Sequence, residues 1–157
     1  MYRALVIAAV FTAAAPAFAE SKSEIDFDDV PAVVLKTAEE TAPGVVFERV
    51  SIEIEDGVAV YEFEATSFDG KHIEIDVAED GTLEEIELQK SLDEVPAEIL
   101  KVLAEAVPEA EPVYIEASVR GGFYVYEFEC AAEDGAMVDV EIDENGKVLS
   151  LVRGNLT

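Results

Sequence analysis

The chain has 157 residues, of which 36 are acidic and 10 basic, so its formal net charge at pH 7 is −26. This excess of negative charge argues against nucleic acid or an anionic membrane surface as a partner, because both are bound through basic side chains. Half of the residues are hydrophobic, which is typical of a folded globular protein rather than a disordered acidic chain.

The first 19 residues have the pattern of a secretory signal peptide. Arg3 supplies a positive charge, residues 4–14 form an apolar stretch, and Ala17-Phe18-Ala19 matches the small-x-small cleavage pattern. The apolar stretch is shorter than the about 20 residues that a membrane-spanning helix needs. We therefore expect cleavage before Glu20, no membrane insertion afterwards, and a periplasmic or secreted location.

Most of the remaining sequence is one unit written twice at a fixed spacing of 65 residues. Residues 60–64, Val-Tyr-Glu-Phe-Glu, recur unchanged as residues 125–129, and the Val-Pro-Ala of residues 30–32 recurs at residues 95–97. Such self-similarity indicates duplicated supersecondary units. The sequence therefore predicts a first repeat over residues 20–90 and a second over residues 91–157.

Each repeat is predicted to begin with a helix and to continue as four antiparallel strands. Acidic residues are predicted at the start of the helical segment with a proline in its first turn, and Pro43 and Pro108 end it. Three glycine-containing turn signals then separate alternating apolar and polar segments, as in β-hairpins. The predicted fold class is α+β, with two repeats of one helix and a four-stranded meander. The two meanders either stay separate or form one continuous sheet with the helices on one face.

The alternation of side chains also predicts which residues lie opposite one another. Residues paired across two strands must point to the same face of the sheet. This rule pairs Ile52 with Tyr61, Phe63 with Ile75, and Ile75 with Ile86. The aromatic side chains predicted to face the helices are Tyr61, Phe63, Tyr126 and Phe128.

The same register places carboxylates opposite one another on the outer face, the face away from the helices. Like charges directly opposite on a sheet destabilise it, by up to about 1 kcal/mol per pair. Three explanations stay open: a basic protein surface covers the face, a cation such as calcium binds its oxygens, or salt screens a solvated acidic surface.

Apolar side chains share part of this outer face near the Gly121-Gly122 turn. Phe123 and Val125 lie there in the second repeat, and Val58 and Val60 hold the matching places in the first. An apolar spot bordered by charges is a candidate interface, although contact between the two repeats explains it equally well. The residues predicted to bind a partner are Phe123, Val125, Glu127, Glu129, Asp139, Glu141, Val60, Glu62, Glu64, Glu74 and Asp76.

No catalytic constellation is visible in the sequence. His72, the single histidine, is predicted to point outward beside Glu74, where a surface role is expected. Cys130, the single cysteine, is predicted to point inward as a core side chain, whereas a reactive thiol needs exposure and a positive neighbourhood. We expect a protein that is not an enzyme, with no catalytic residue, metal ligand or cofactor assigned.

The repeated Val-Pro-Ala motif, the Tyr-Glu-Phe-Glu strands and the Asp-Gly or Asn-Gly turns resemble the PepSY-like family. That family is related in architecture to the beta-lactamase inhibitor protein fold. The resemblance implies an exported module that binds or restrains a peptidase or another extracytoplasmic enzyme, through the sheet. This chain has no disulfides of the kind that inhibitor contains. The predicted function is a non-enzymatic binding module, an inhibitor or regulator, and the alternative is a calcium-binding or calcium-buffering protein.

Overall fold

A computed structural model describes residues 22–55 and 58–154 of the chain. Within these ranges the chain forms one antiparallel sheet of nine strands, arranged in chain order, and two α-helices. The predicted signal peptide, residues 1–19, lies outside the described residues and stays a prediction.

The elements follow one another in two similar series. The first series is β1 (Ser23–Glu24), α1 (Ala32–Thr41), β2 (Arg49–Glu55), β3 (Val58–Thr66), β4 (His72–Ala78) and β5 (Leu83–Gln89). The second series is α2 (Ala97–Ala106), β6 (Ala110–Arg120), β7 (Phe123–Ala132), β8 (Met137–Asp143) and β9 (Val148–Arg153). Short 3₁₀ turns, Phe27–Asp29 and Leu92–Glu94, precede the two helices.

The fold class predicted from the sequence is wrong. The chain is one nine-stranded antiparallel sheet with two helices, not two units of one helix and four strands. Two features account for the difference. The N-terminal segment adds β1 beside β2, and β5 pairs with β6, for example Glu87 opposite Ser118. Backbone groups that would be exposed at the edges of two separate meanders are thereby hydrogen-bonded.

The predicted strand registers are confirmed. Ile52 lies opposite Tyr61, Phe63 opposite Ile75, and Ile75 opposite Ile86. The alternation predicts these pairs correctly because a slip by one residue would move every apolar side chain to the other face.

Both helices pack on the same kind of apolar surface, one in each half of the sheet. Val34 and Ala38 of α1 are buried in the cluster that contains Phe63. Ile99 and Leu103 of α2 are buried in the cluster that contains Phe128, Cys130 and Val140. The core therefore lies between helices and sheet, and the outer face is the opposite side of the sheet.

Glycine is required where the turn between β4 and β5 meets helix α1. Gly81 has a φ of +87°, and a Cβ atom there would lie 2.5 Å from Cγ2 of Val33. Gly70 has a similar φ of +84°, but a Cβ atom at that residue would have no neighbour within 4 Å. We expect Gly70→Ala to cost about 1 kcal/mol of unfolding free energy, from backbone strain alone.

Gly81→Ala adds a steric clash to the same strain, so we expect it to cost about 1 kcal/mol more than Gly70→Ala. Urea unfolding of both variants measures the difference. Equal losses of stability would show that α1 does not pack tightly against this turn.

Candidate functional site

The outer face is organised as rows of side chains that run across the strands. The rows follow directly from the strand registers. The first row is Ser51, Glu62, Asp76, Glu85, Arg120 and Phe123. The second row is Arg49, Glu64, Glu74, Glu87, Ser118 and Val125. The third row is Gln89, Glu116, Glu127, Glu141 and Ser150.

The carboxylate pairs predicted from the sequence occur on this outer face. Glu62 lies opposite Asp76, Glu64 opposite Glu74, and Glu129 opposite Asp139. Because β5 pairs with β6, the acids of the two halves belong to one surface rather than to two. Their mutual repulsion therefore extends across the middle of the sheet.

Three basic side chains lie among the acids of the described outer face. Lys22 forms ion pairs with Glu62 and with Glu53, and Arg49 pairs with Glu64. Arg120 has the most partners, with its Nη2 atom 2.5 Å from Glu141 and its Nη1 atom 3.5 Å from Glu85 and from Glu127. Arg49 begins the second row and Arg120 belongs to the first, and together with Lys22 they offset part of the repulsion.

Several carboxylates between the basic groups have raised pKa values. Burial raises the pKa of Glu87 to about 9, and the neighbouring Glu74 adds to the effect. Burial and the charge of Glu62 raise the pKa of Glu74. Burial also raises the pKa of Glu127, and Ser118 and Arg120 oppose it only in part. The centre of the outer face is therefore poised to bind protons or another positive charge.

Among the residues that the structure describes, two groups of carboxylates have the spacing of a cation site. Oxygen atoms of Glu62, Glu74 and Asp76 lie within 4.8 Å of one another, and so do those of Glu85, Glu87 and Glu127. An all-oxygen donor set suits calcium. However, Lys22 binds Glu62 in the first group, and Arg120 binds two members of the second. A cation would have to displace these basic side chains or share the carboxylates with them.

The apolar residues predicted on this face differ in exposure. Phe123 is 72% exposed and Val58 is 53% exposed, whereas Val60 and Val125 are only 5% and 1% exposed. Val125 lies between Ser118 of β6 and Asp143 of β8, and Val60 lies between Glu53 of β2 and Ala78 of β4. Phe123 is thus the most exposed of these apolar residues, followed by Val58, and both are open to direct contact with a partner.

The four predicted carboxylates of the second half line a shallow depression. Its lining includes Tyr114 and Glu116 together with the predicted Glu127, Glu129, Asp139 and Glu141. The Tyr114 hydroxyl donates a hydrogen bond to Glu116 at 2.7 Å. Glu129 and Asp139 are exposed, whereas Glu127 and Glu141 are half-buried.

Sequence reasoning missed the basic members of the site. Arg120 alternates with Glu116 and Ser118 along β6, which places it on the outer face. Its acidic partner Glu85 becomes visible only when β5 is known to pair with β6. Lys22 lies beyond the end of the short strand β1, which has no signal in the sequence. Both residues were therefore beyond what alternation alone could assign.

The two residues considered for catalysis lie where the sequence placed them. Nε2 of His72 is 3.3 Å from Oε2 of Glu74 on the outer face. Cys130 is fully buried in the core of the second half, and burial raises the pKa of its thiol. The neutral, buried thiol is a poor nucleophile.

The first half of the chain matches a known protein family. Residues 31–87 match the family model described as peptidase propeptide and YPEB domain, or PepSY. The predicted PepSY-like resemblance is thus confirmed for these residues. None of the curated proteins matches the chain by sequence.

Solved structures with the same architecture come from Bacteroides species. A DUF2874 family protein from Bacteroides ovatus is 12% identical with a TM-score of 0.65, covering 78% of this chain and 86% of its own. A DUF2874 family protein from Bacteroides uniformis is 12% identical with a TM-score of 0.64, covering 78% and 88%. A BLIP-like protein from Bacteroides fragilis is 16% identical with a TM-score of 0.59, covering 81% and 90%.

These similarities show a BLIP-like fold for this chain. A further neighbour, from Bacteroides eggerthii, is described as a proposed periplasmic protein; it is 13% identical with a TM-score of 0.64, covering 79% of this chain and 88% of its own. The periplasmic or secreted location predicted from the sequence agrees with that description. In the described part of the chain, no helix has the length and apolar character needed to cross a membrane.

Proposed function

We propose that the protein is an exported, non-enzymatic binding module that contacts a protein partner through its outer sheet face. The proposal takes residues 1–19 as a signal peptide and residues 20–90 and 91–157 as two copies of one unit. The observation that supports it most directly is the continuous acidic surface, left uncovered by both helices, with Phe123 exposed at its margin.

The charge of this surface favours a partner with basic side chains. Lys22, Arg49 and Arg120 already lie among the carboxylates, which indicates the kind of group that the rows accept. A partner that supplies further lysine or arginine side chains would lower the repulsion among the remaining acids and speed its own encounter with the protein.

An extracytoplasmic enzyme, such as a peptidase, is the partner class that we favour. The matched family description includes peptidase propeptides, and the sheet architecture is that of a BLIP-like protein. In this proposal the module inhibits or regulates the enzyme, with Glu62, Glu64, Glu74 and Asp76 in the first half of its contact surface. Glu127, Glu129, Asp139 and Glu141 form the second half, and the buried Val60 and Val125 support it from beneath.

Phe123→Asp is expected to abolish partner capture while the fold persists. The side chain is 72% exposed, so its loss removes little core packing, whereas the new charge disfavours burial against a partner. Capture from an extracytoplasmic extract by the immobilised chain, from residue 20 onward, measures the effect.

Phe68→Asp is the matched control, since Phe68 is also an exposed phenylalanine but lies in the turn between β3 and β4. The proposal requires that the Phe68 variant still captures the protein that the Phe123 variant loses. Equal capture by both variants would remove Phe123 from the contact surface.

Calcium binding is the second candidate function, and the two clusters of carboxylate oxygens favour it. In that case calcium raises the melting temperature far more than sodium at the same ionic strength, and the double change Glu74→Gln with Glu87→Gln, which alters both clusters, removes most of the difference. Our leading proposal predicts equal effects of the two salts, because screening of the acidic rows depends on ionic strength alone. A thermal unfolding titration separates the two.

A further inference from the structure

Strand β9 is an open edge of the sheet with unusual composition. It pairs with β8 on one side, and no described residue pairs with its other side. Val148, Leu149, Leu151 and Val152 are between 36% and 55% exposed. Exposed edges are normally protected by charges, prolines or short length, yet the middle of this six-residue strand carries no charge.

The equivalent strand of the first half has a different composition. Strand β5 carries Glu84, Glu85 and Glu87, whereas the corresponding positions of β9, 65 residues later, carry Leu149, Ser150 and Val152. Strand β5, whose edge is covered by β6, is thus acidic, whereas strand β9, whose edge is open, is apolar. Solvent exposure alone would favour the reverse arrangement.

The backbone of β9 is oriented to accept another strand. The N–H of Gly154 donates to the carbonyl of Met137 on β8, at 2.8 Å. Because N–H groups alternate in direction along a strand, those of Leu151 and Arg153 point away from β8. The equivalent edge of β5 is occupied by β6, since the N–H of Lys90 at its end donates to the carbonyl of Ile115 at 2.8 Å.

We propose that the open edge of β9 binds an extended segment of a protein partner as an additional antiparallel strand. Strand β6, which occupies the equivalent edge of β5, defines the chemistry of that segment. It carries Ile115 and Ala117 on the helix side and Glu116 and Ser118 on the outer side.

The charges at the edge specify the segment further. Residues 147–157 contain Lys147 and Arg153 but no acidic residue, in a chain of net charge −26. Arg153 pairs with Asp134 at 2.6 Å, so Lys147 is the basic group left for a partner, and an apolar segment with an acidic side chain complements the edge. A second copy of this chain fits less well, because its own β9 has the same basic residues and its total charge repels. The inference extends the proposed function, since it requires a protein partner, but it uses a different surface.

Amide hydrogen exchange of the chain from residue 20 onward tests the proposal with a defined probe. The probe is a synthetic peptide with the sequence of residues 110–120, and its control is the same peptide with the Ala117→Pro change, which removes an N–H group that would face β9. We expect the first peptide to slow exchange of the Leu151 and Arg153 amides, and the proline peptide to leave them unchanged.

A pair of variants gives an independent reading. Leu151→Pro removes an N–H that points away from β8, whereas Leu151→Ala removes only the side chain beyond Cβ. We expect Leu151→Pro to weaken peptide binding about tenfold relative to Leu151→Ala, as the loss of a backbone hydrogen bond predicts. Phe123→Asp should leave peptide binding unchanged, so failure here is distinguishable from failure of the outer-face proposal.

Three results would overturn the proposal. The first is rapid exchange of both amides at saturating peptide. The second is equal peptide binding by the Leu151→Pro and Leu151→Ala variants. The third is protection without peptide that rises with protein concentration together with a doubled mass in sedimentation, since a second copy would then occupy the edge.

Discussion

Arg120→Ala is expected to lower the free energy of unfolding by about 2–3 kcal/mol, because it removes the cation shared by three carboxylates. Loss of one partner from a fully buried ion pair costs about 3–5 kcal/mol. The expected value here is smaller because the Arg120 side chain is 38% exposed and water screens part of its charge.

The position of Arg120 explains why its effect exceeds that of other surface charges. It lies opposite Glu85 at the junction of β5 and β6, and it also contacts Glu127 and Glu141 of the next two strands. Four adjacent strands thus share one guanidinium group. Without it, the acids of β5, β7 and β8 face one another at short range, as like charges that destabilise a sheet.

Lys101→Ala is the matched control, because it removes the same charge from the same highly acidic chain. Lys101 is 77% exposed and its contact with Glu105, at 3.8 Å, is a surface pair on helix α2. We expect a loss below about 0.5 kcal/mol there. If urea unfolding gives equal losses for the two variants, total charge rather than the local arrangement determines stability.

Added salt should restore part of the stability of the Arg120→Ala variant. Screening weakens the repulsion among Glu85, Glu127 and Glu141, while it also weakens the native ion pairs of the unmodified chain. The difference in stability between the two proteins should therefore shrink as sodium chloride is raised. Arg120→Lys should lie between them, since it keeps the charge but loses the fork of donors.

The parts of the fold that follow alternation could be predicted from the sequence. Tyr61, Phe63, Tyr126 and Phe128 face the helices because period-two patterning leaves one face for apolar side chains. The opposite placement of Glu62 and Asp76 follows from the same argument with the turn signals added. Local information was sufficient for these features.

The features that depend on contacts between the two halves could not be predicted. Pairing of β5 with β6 joins two meanders into one sheet, and no turn signal or periodicity specifies it. The burial of Val125 and the grouping of Glu85, Glu87 and Glu127 both depend on that junction. Alternation assigns a side chain to a face, but exposure is set by the neighbours that the junction supplies.

Stability is expected to rise as the pH falls from about 9 to about 5, and Glu87→Gln should remove most of this dependence. The pKa of Glu87 is raised to about 9 in the folded state, mainly by burial and next by Glu74. The pKa of Glu74 is raised as well. A carboxyl with a raised folded-state pKa binds more protons in the native than in the unfolded chain. Its contribution to the free energy of unfolding is therefore lost as the pH rises.

The opposite dependence applies at lower pH. The hydrogen bonds from Lys71 and Ser91 lower the pKa of Glu94 to about 2, and Arg49 overcomes the effect of burial to lower the pKa of Glu64. These groups stabilise the fold above the unfolded-state pKa of a glutamate, and protonation removes that contribution. We therefore expect maximal stability near pH 5, with losses on both sides.

Glu87→Gln should raise the unfolding free energy at pH 8 by about 1–3 kcal/mol, because a neutral amide replaces a carboxyl that burial and Glu74 hold away from its charged form. Glu84→Gln is the control, since Glu84 lies on the same strand but is exposed. Urea unfolding from pH 5 to pH 9 gives the slope of unfolding free energy against pH for both variants. A native-like slope in the Glu87 variant, or equal stabilisation by the Glu84 variant, would show that overall charge and not the buried row governs the pH response. A flattened slope in the Glu87 variant alone would show that the pH response of stability arises at the centre of the outer face. A basic partner bound there would displace the proton of Glu87, so it would bind more tightly at high pH.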